Sequence, residues 1–147
     1  MALNATPGSA TADSYLTVAA ADTMATNFGL GGWATKTTAQ KEAALRQATL
    51  DVDGHRFHNQ VKWTAGQSRV FPRVVDVGVI PADVELATMF QADFLASHGE
   101  WDRKDWDGAK AAPHPASGAG SPLCNRAFKV LARWIARTGE FREASTE

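Results

Sequence analysis

The stretch Thr38 to Phe57, TAQKEAALRQATLDVDGHRF, constrains this chain more than any other. Ala44, Leu45, Ala48, Val52 and Phe57 recur at three-to-four-residue intervals, the spacing that puts side chains on one side of an α-helix. Lys41, Glu42, Arg46, Gln47 and Asp53 keep mainly to the remaining surface. Thr38 is a candidate N-cap, and Lys41 to Leu45 are strong helix formers. About twenty residues at 1.5 Å each give roughly 30 Å of helix, enough to cross a small domain. The pattern predicts a central helix on which the rest of the chain packs.

A helix before it is predicted from about Val18 to Phe28, capped by Thr17, with Val18, Ala21, Ala25 and Phe28 on one face. Gly29, Gly31 and Gly32 end it, and Trp33 is placed to fold back over the core. Beyond Gly54 the helical period fades. The run VKWTAGQSRVFPRVVDVGVIP is rich in β-formers, but Pro72 and Gly78 interrupt any long strand. It reads as a long ordered loop or short hairpin. Pro81 then opens a third helix to about His98, with Asp83 and Glu85 at its positive end. Its buried stripe is expected along Val84, Ala87, Phe90 or Gln91, Phe94 and Leu95.

Residues 99–121 are rich in Ala, Gly, Pro and Ser and read as a linker or surface excursion. A last helix is expected from about Pro122 to Thr138, with Cys124, Phe128, Leu131 and Ile135 inward and Gly139 as its stop. Arg126, Lys129, Arg133 and Arg137 fall in one row on its outer side. The organisation is therefore a mobile segment 1–13, a helical core 14–98, the linker 99–121, and a C-terminal helix and tail 122–147. The fold class is all-α, a bundle of about four helices. Leu45, Ala48, Val52, Phe94, Phe128 and Leu131 are its expected core.

Composition excludes several classes. The chain has 147 residues and a net charge of −1, so neither a strongly nucleic-acid-binding nor an acidic protein is indicated by charge alone. No apolar run approaches the roughly twenty residues of a membrane span, and the N-terminus lacks the basic start and apolar core of a signal peptide. A cytosolic soluble protein is expected. Cys124 is the single cysteine, compatible with a reducing compartment, and its apolar helix face suits a structural thiol.

Catalytic chemistry finds no support. His55 and His58 could in principle meet one metal ion, but no third ligand stands at useful spacing, and solvated or locally hydrogen-bonded histidines are the better reading. Asp51 and Asp53 point in different directions on a helix and read as surface charges. The glycines at 29, 31 and 32 match neither a phosphate loop nor a dinucleotide fingerprint. No enzyme activity, metal or cofactor is expected.

Two surfaces carry binding potential. One is the basic row Arg126, Lys129, Arg133 and Arg137, which could equally be a solvated face. The other is the loop in which Lys62, Arg69 and Arg73 interleave with Trp63 and Phe71. Such interleaving can track single-stranded nucleic acid, although loop aromatics also serve as anchors to a core.

Four pieces stand in a recognisable order: Asp13-Ser14-Tyr15, the helix Lys41 to Leu45, the loop Gln67 to Arg73 (Gln-x-x-x-Phe-Pro-Arg), and Ile80-Pro81 before a helix. From about Ala12 to Leu95 this resembles the small head–tail connector, or adaptor, proteins of tailed bacteriophages. The resemblance implies an α-helical subunit of a homo-oligomeric, dodecameric ring beneath a portal protein. Such a ring extends the channel for double-stranded DNA and meets the next connector, stopper or tail protein in the virion neck, after synthesis in the host cytoplasm. Members of that group also carry a DnaT-like single-stranded-DNA-binding label, which supplies the alternative function. Lys62, Trp63, Gln67, Arg69, Phe71 and Arg73 would then lie at a subunit boundary or toward the channel, with Arg73 pairing with a neighbour's carboxylate. The row Arg126, Lys129, Arg133 and Arg137 would meet the portal or the DNA. The linker gives the last helix roughly 25 Å of root-mean-square reach for that attachment.

Overall fold

A computed structural model describes residues 2–98 and 123–135. Among these the fold is all-helical, with four α-helices, two 3-10 turns and no strands: α1 (Val18–Asn27), α2 (Thr38–Asp53), α3 (Ala82–His98) and α4 (Asn125–Leu131). The turns span Trp33–Thr35 and Val74–Asp76. No helix is long and apolar enough to cross a membrane.

The first two helices begin where short polar side chains satisfy their open N–H groups. Thr17 Oγ1 accepts from Ala20 N at 3.1 Å. α2 starts with a reciprocal capping box, in which Thr37 Oγ1 accepts from Gln40 N and Gln40 Oε1 accepts from Thr37 N. The cap is thus Thr37 rather than Thr38. Helix α2 stops at Gly54, three residues before Phe57, and Phe57 is buried from the following turn instead.

The central element is α3, not α2, which corrects the expectation from periodicity. Helix α2 buries one side, with Ala44, Leu45, Ala48 and Val52 fully inside. Helix α3 buries Val84, Ala87, Thr88, Met89, Gln91 and Ala92 around most of its circumference, and it alone touches α1, α2, α4 and the Trp33 turn. A helix surrounded by partners has no solvent face, so its apolar residues lose the 3.6-residue contrast that marks an amphipathic helix. Phe94, expected in the core, is only partly buried. Phe28 is half-exposed and meets Phe90 edge-on, with ring centroids 5.5 Å apart. Trp33 is fully buried and donates from Nε1 to Asp22 at 2.8 Å.

Helix α4 is shorter than its sequence pattern. It ends at Leu131, and the chain turns so that Ile135 bridges Phe57 and Trp134 O accepts from His58 N. Leu123, Ala127, Phe128, Leu131 and Ile135 all join the same core as α2 and α3. Cys124 precedes the helix rather than lying on its face, and its N–H donates to Gln91 Oε1 at 2.7 Å. Burial pushes the Cys124 thiol up, against the opposing pull of neighbouring N–H groups and Arg126. Arg137 and Gly139, like the linker 99–121, lie outside the described residues.

Asp51 and Asp53 are not surface charges. Asp51 is fully buried, with Oδ1 accepting from Gln47 at 3.0 Å and Oδ2 from Gln91 at 2.9 Å. Its backbone carbonyl also meets His55 Nδ1 at 3.2 Å, so His55 is a buried, locally hydrogen-bonded histidine. Asp53 is mostly buried, accepts a short hydrogen bond from the Tyr15 hydroxyl, and pairs with Arg69 at 3.5 Å. A buried carboxylate needs such partners because desolvation otherwise disfavours its charge.

The N-terminal segment, expected to be mobile, is hydrogen-bonded into the fold. Asn4 N donates to Asp13 Oδ1 at 2.8 Å, and Asp13 Oδ2 accepts from Arg46 at 2.8 Å. Ser68 reaches across to the carbonyls of Ser9 and Ala12. Residues 2–13 are thereby strapped against the loop that follows α2.

Candidate nucleic-acid interface

Residues 59–79 form a compact lobe organised by one side chain. Gln67 is buried and uses its whole amide: Oε1 accepts from Thr64 N at 2.9 Å, while Nε2 donates to the carbonyls of Arg69 and Pro72, each at 2.9 Å. No strand among the described residues pairs with these groups, so a side-chain amide takes the place of a backbone ladder. Lys62 and Arg73 are joined by a single antiparallel bridge, and Val74 N donates to Val61 O at 2.8 Å. The Phe71-Pro72 peptide bond is cis.

Phe71 anchors the lobe. It is fully buried, edge-on to Phe57 at 4.9 Å and to Tyr15 at 5.9 Å, and its N–H donates to the Tyr15 hydroxyl at 3.1 Å. Burial and the adjacent Asp53 carboxylate hold the Tyr15 hydroxyl strongly protonated. Burial also raises the Asp53 carboxyl, although Tyr15 and Arg69 oppose the shift.

Arg73 departs furthest from expectation. It is buried within its own chain, and its carboxylate partner is intramolecular. Nε and Nη2 form a two-pronged pair with Asp76 at 2.9 Å each, Nη1 donates to His58 O, and the guanidinium lies between the Phe71 and Trp134 rings. Burial would raise the Asp76 carboxyl, but the Arg73 hydrogen bonds outweigh it and hold it below its ordinary range. The R-x-x-D spacing of Arg73 and Asp76 was the signal in the sequence that this arginine already had a partner. Arg69 is likewise turned inward, toward Asp53.

What the lobe displays is aromatic and apolar. Trp63 is 48 % exposed, with its indole seated over Gly78. A β-carbon at Gly78 would meet that ring at 3.0 Å, and Gly8 approaches it from the N-terminal strap. Lys62, next to it, is exposed and donates from Nζ to Gln67 O at 3.1 Å. Val61, Val74, Val75, Val77 and Val79 are all exposed around it. The sequence marked these valines as β-formers but not as a displayed patch, because nothing in VVDVGV says that no strand will pair with it.

The expected basic row is broken, because α4 ends at Leu131: Arg126 and Lys129 lie on the helix and Arg133 on the turn after it. Arg126, Lys129 and Arg133 are exposed. The Arg126 guanidinium rests 4.1 Å from the Phe90 ring centre, and Arg133 pairs with Asp83, which also accepts from Trp134 Nε1 at 3.0 Å. The Trp134 hydrogen bond, reinforced by Arg133, keeps the Asp83 carboxyl below its ordinary range. His58 and His55 are not brought together with further ligands: among the described residues no group of three His, Cys, Asp or Glu side chains could hold a metal ion.

Residues 1–111 match the protein family described as "Putative DnaT-like ssDNA binding protein". No curated protein and no solved structure matches the chain. The match runs through the strap, α1, α2, the Gln67 lobe and α3, and by it the chain belongs to the DnaT-like single-stranded-DNA-binding family.

Proposed function

We propose that this protein binds single-stranded DNA, with Trp63 as the stacking platform. The observation that carries this is the half-exposed indole, already immobilised over Gly78, so that a base can stack without first ordering the ring. Family membership supports the same reading. The electrostatic contribution is small, because Arg69 and Arg73 are neutralised internally and Lys62 is the cation beside the platform. Binding should therefore depend weakly on salt, with a log–log slope of no more than about 2. Base–aromatic stacking contributes ~1–3 kcal/mol per base. Fluorescence anisotropy with a labelled oligonucleotide should show Trp63→Ala weakening binding roughly 5- to 150-fold at that magnitude. Equal affinity of Trp63→Ala and wild type would refute it.

A second reading is favoured by the valines around Trp63, for which phosphate and bases have little use. An apolar rim suits protein contact, as in a connector subunit forming a ring with a portal protein and a tail-side partner around double-stranded DNA in a virion neck. In that reading α4 stays docked on its own core and offers Arg126 and Lys129 outward. Mixing the protein with its portal and measuring mass separates the readings. Charge reversal at Arg126 and Lys129 should weaken portal binding if this second reading is right.

A further inference from the structure

We propose that Trp134 is a positioning residue for single-stranded DNA binding: without touching the strand, it holds Arg73, and through Arg73 the Trp63 indole, in the orientation that stacks. The proposal rests on the reading of Trp63 as the platform. It brings in a residue from outside positions 1–111, the part of the chain that matches the family.

Trp134 stands on the turn after α4 and is tied down on several sides. Its N–H donates to Leu131 O at 2.8 Å, which closes the turn. Its carbonyl accepts from His58 N at 3.2 Å, and the next residue, Ile135, bridges Phe57. Its indole Nε1 donates at 3.0 Å to Asp83, in the first turn of α3. The ring is thereby fixed to α3 and to the chain leaving α2 at once. What it covers is Arg73: the guanidinium lies 4.9 Å from the Trp134 ring centre and 5.0 Å from that of Phe71. The Arg73 side chain is only 4 % exposed, and a desolvated guanidinium gains more from an aromatic face than a solvated one.

Arg73 is the joint of the lobe. Its backbone pairs with Lys62, the neighbour of Trp63, and Trp63 N donates to Pro72 O at 3.2 Å. Its side chain holds Asp76, whose carbonyl accepts from Val79 N at 3.3 Å and so closes the turn that presents Gly78 to the indole. The two parts that set the Trp63 ring, its own backbone and its Gly78 seat, therefore both run through Arg73. His58 completes the link, because its carbonyl accepts from Arg73 Nη1 while its N–H donates to Trp134. Losing the Trp134 ring uncovers Arg73, and the platform then samples other orientations. Apparent affinity falls with the fraction of molecules whose indole is in place.

Variants of the full-length chain test the link. Trp134→Leu fills the site without offering Arg73 an aromatic face, and oligonucleotide binding should weaken roughly 2- to 30-fold, the span of one cation–π contact. In a double-mutant cycle it should add nothing to Trp63→Ala, because both act at one indole. Asp83→Ala, which removes the acceptor for Trp134 Nε1, should weaken binding in the same direction. Asp83→Asn keeps an acceptor while losing the charge opposite Arg133, and should rescue it; this pair decides the matter if Trp134→Leu does not fold. Fluorine NMR of fluorotryptophan-labelled protein without DNA supplies a second readout, with the Trp63 line assigned through Trp63→Phe. Trp134→Leu and Asp83→Ala should move that line, and Asp83→Asn should leave it in place. A Trp63 line that stays put in Asp83→Ala, additive losses in the cycle, or Asp83→Asn binding as weakly as Asp83→Ala would each overturn the proposal. Failure of the DNA-binding reading looks different: Trp63→Ala would bind like wild type while the fluorine line still followed Trp134.

Discussion

Two regions of this molecule treat apolar and charged groups in opposite ways. The α2–α3–α4 seam hides both: Leu45, Val52, Phe128 and Leu131 are fully buried, and so are the polar Asp51 and Gln91 that tie the three helices together. The Gln67 lobe hides its charges, Arg73 with Asp76 and Arg69 with Asp53, yet leaves Trp63 and five valines in solvent. Hiding the charges while showing the hydrophobes is the reverse of an ordinary loop, and larger exposed apolar patches mark interaction sites or aggregation liabilities. The lobe is held together by Gln67 and Phe71 beneath an exposed apolar surface, whereas the seam buries its apolar side chains on all three helices.

The largest expected effects sharpen that division. Arg73→Ala removes one member of a pair whose side chains are 4 % and 6 % exposed, and it strands Asp76; about 3–5 kcal/mol should be lost in urea unfolding. Leu45→Ala in the seam should lose about 2–5 kcal/mol, since the side chain is fully buried. If Arg73→Ala were neutral, the lobe would not be a rigid unit. The exposed valines should behave differently. Val77→Asn relieves the left-handed conformation of a β-branched residue and should leave stability unchanged or raise it by up to about 1 kcal/mol.

A smaller effect is electrostatic and separates the carboxylates by sign. Asp76 has a lowered folded pKa, so its contribution is present above the ordinary value of 3.8 and is lost as pH falls through the lowered value. Asp53 is raised chiefly by burial, so its protonation favours the folded state, and its contribution grows as pH falls from above the raised value toward 3.8. Asp53→Asn should therefore remove a gain in unfolding midpoint on mild acidification, while Asp76→Asn should soften the loss at lower pH. The smallest effect belongs to Arg133, whose side chain is 74 % exposed. Its pair with Asp83 should contribute less than about 1 kcal/mol to stability, checked by Arg133→Ala.

How much was legible in the sequence follows from where each partner lies along the chain. Helices α1 and α2 were readable because caps and one-sided periodicity are local. The central place of α3 was not, since burial on most sides erases the period that betrays a helix. Asp51 and Asp53 read as surface charges because their partners Gln91 and Tyr15 lie 40 and 38 residues away. In the loop, Phe71 as anchor and Trp63 as exposed aromatic were both among the candidates, but Arg69 and Arg73 were counted as available cations. For Arg69 the partner is set by the tertiary fold. The exposed valines went unread because exposure of a β-forming run depends on whether any strand pairs with it.

Hydrogen exchange of the full-length protein, with and without a single-stranded oligonucleotide, tests the lobe as binding surface most directly. The account predicts added protection at residues 61–64, around the Trp63 platform, with the α2–α3–α4 seam unchanged. Protection gained instead on α1 or α4, with residues 61–79 unaffected, would contradict it.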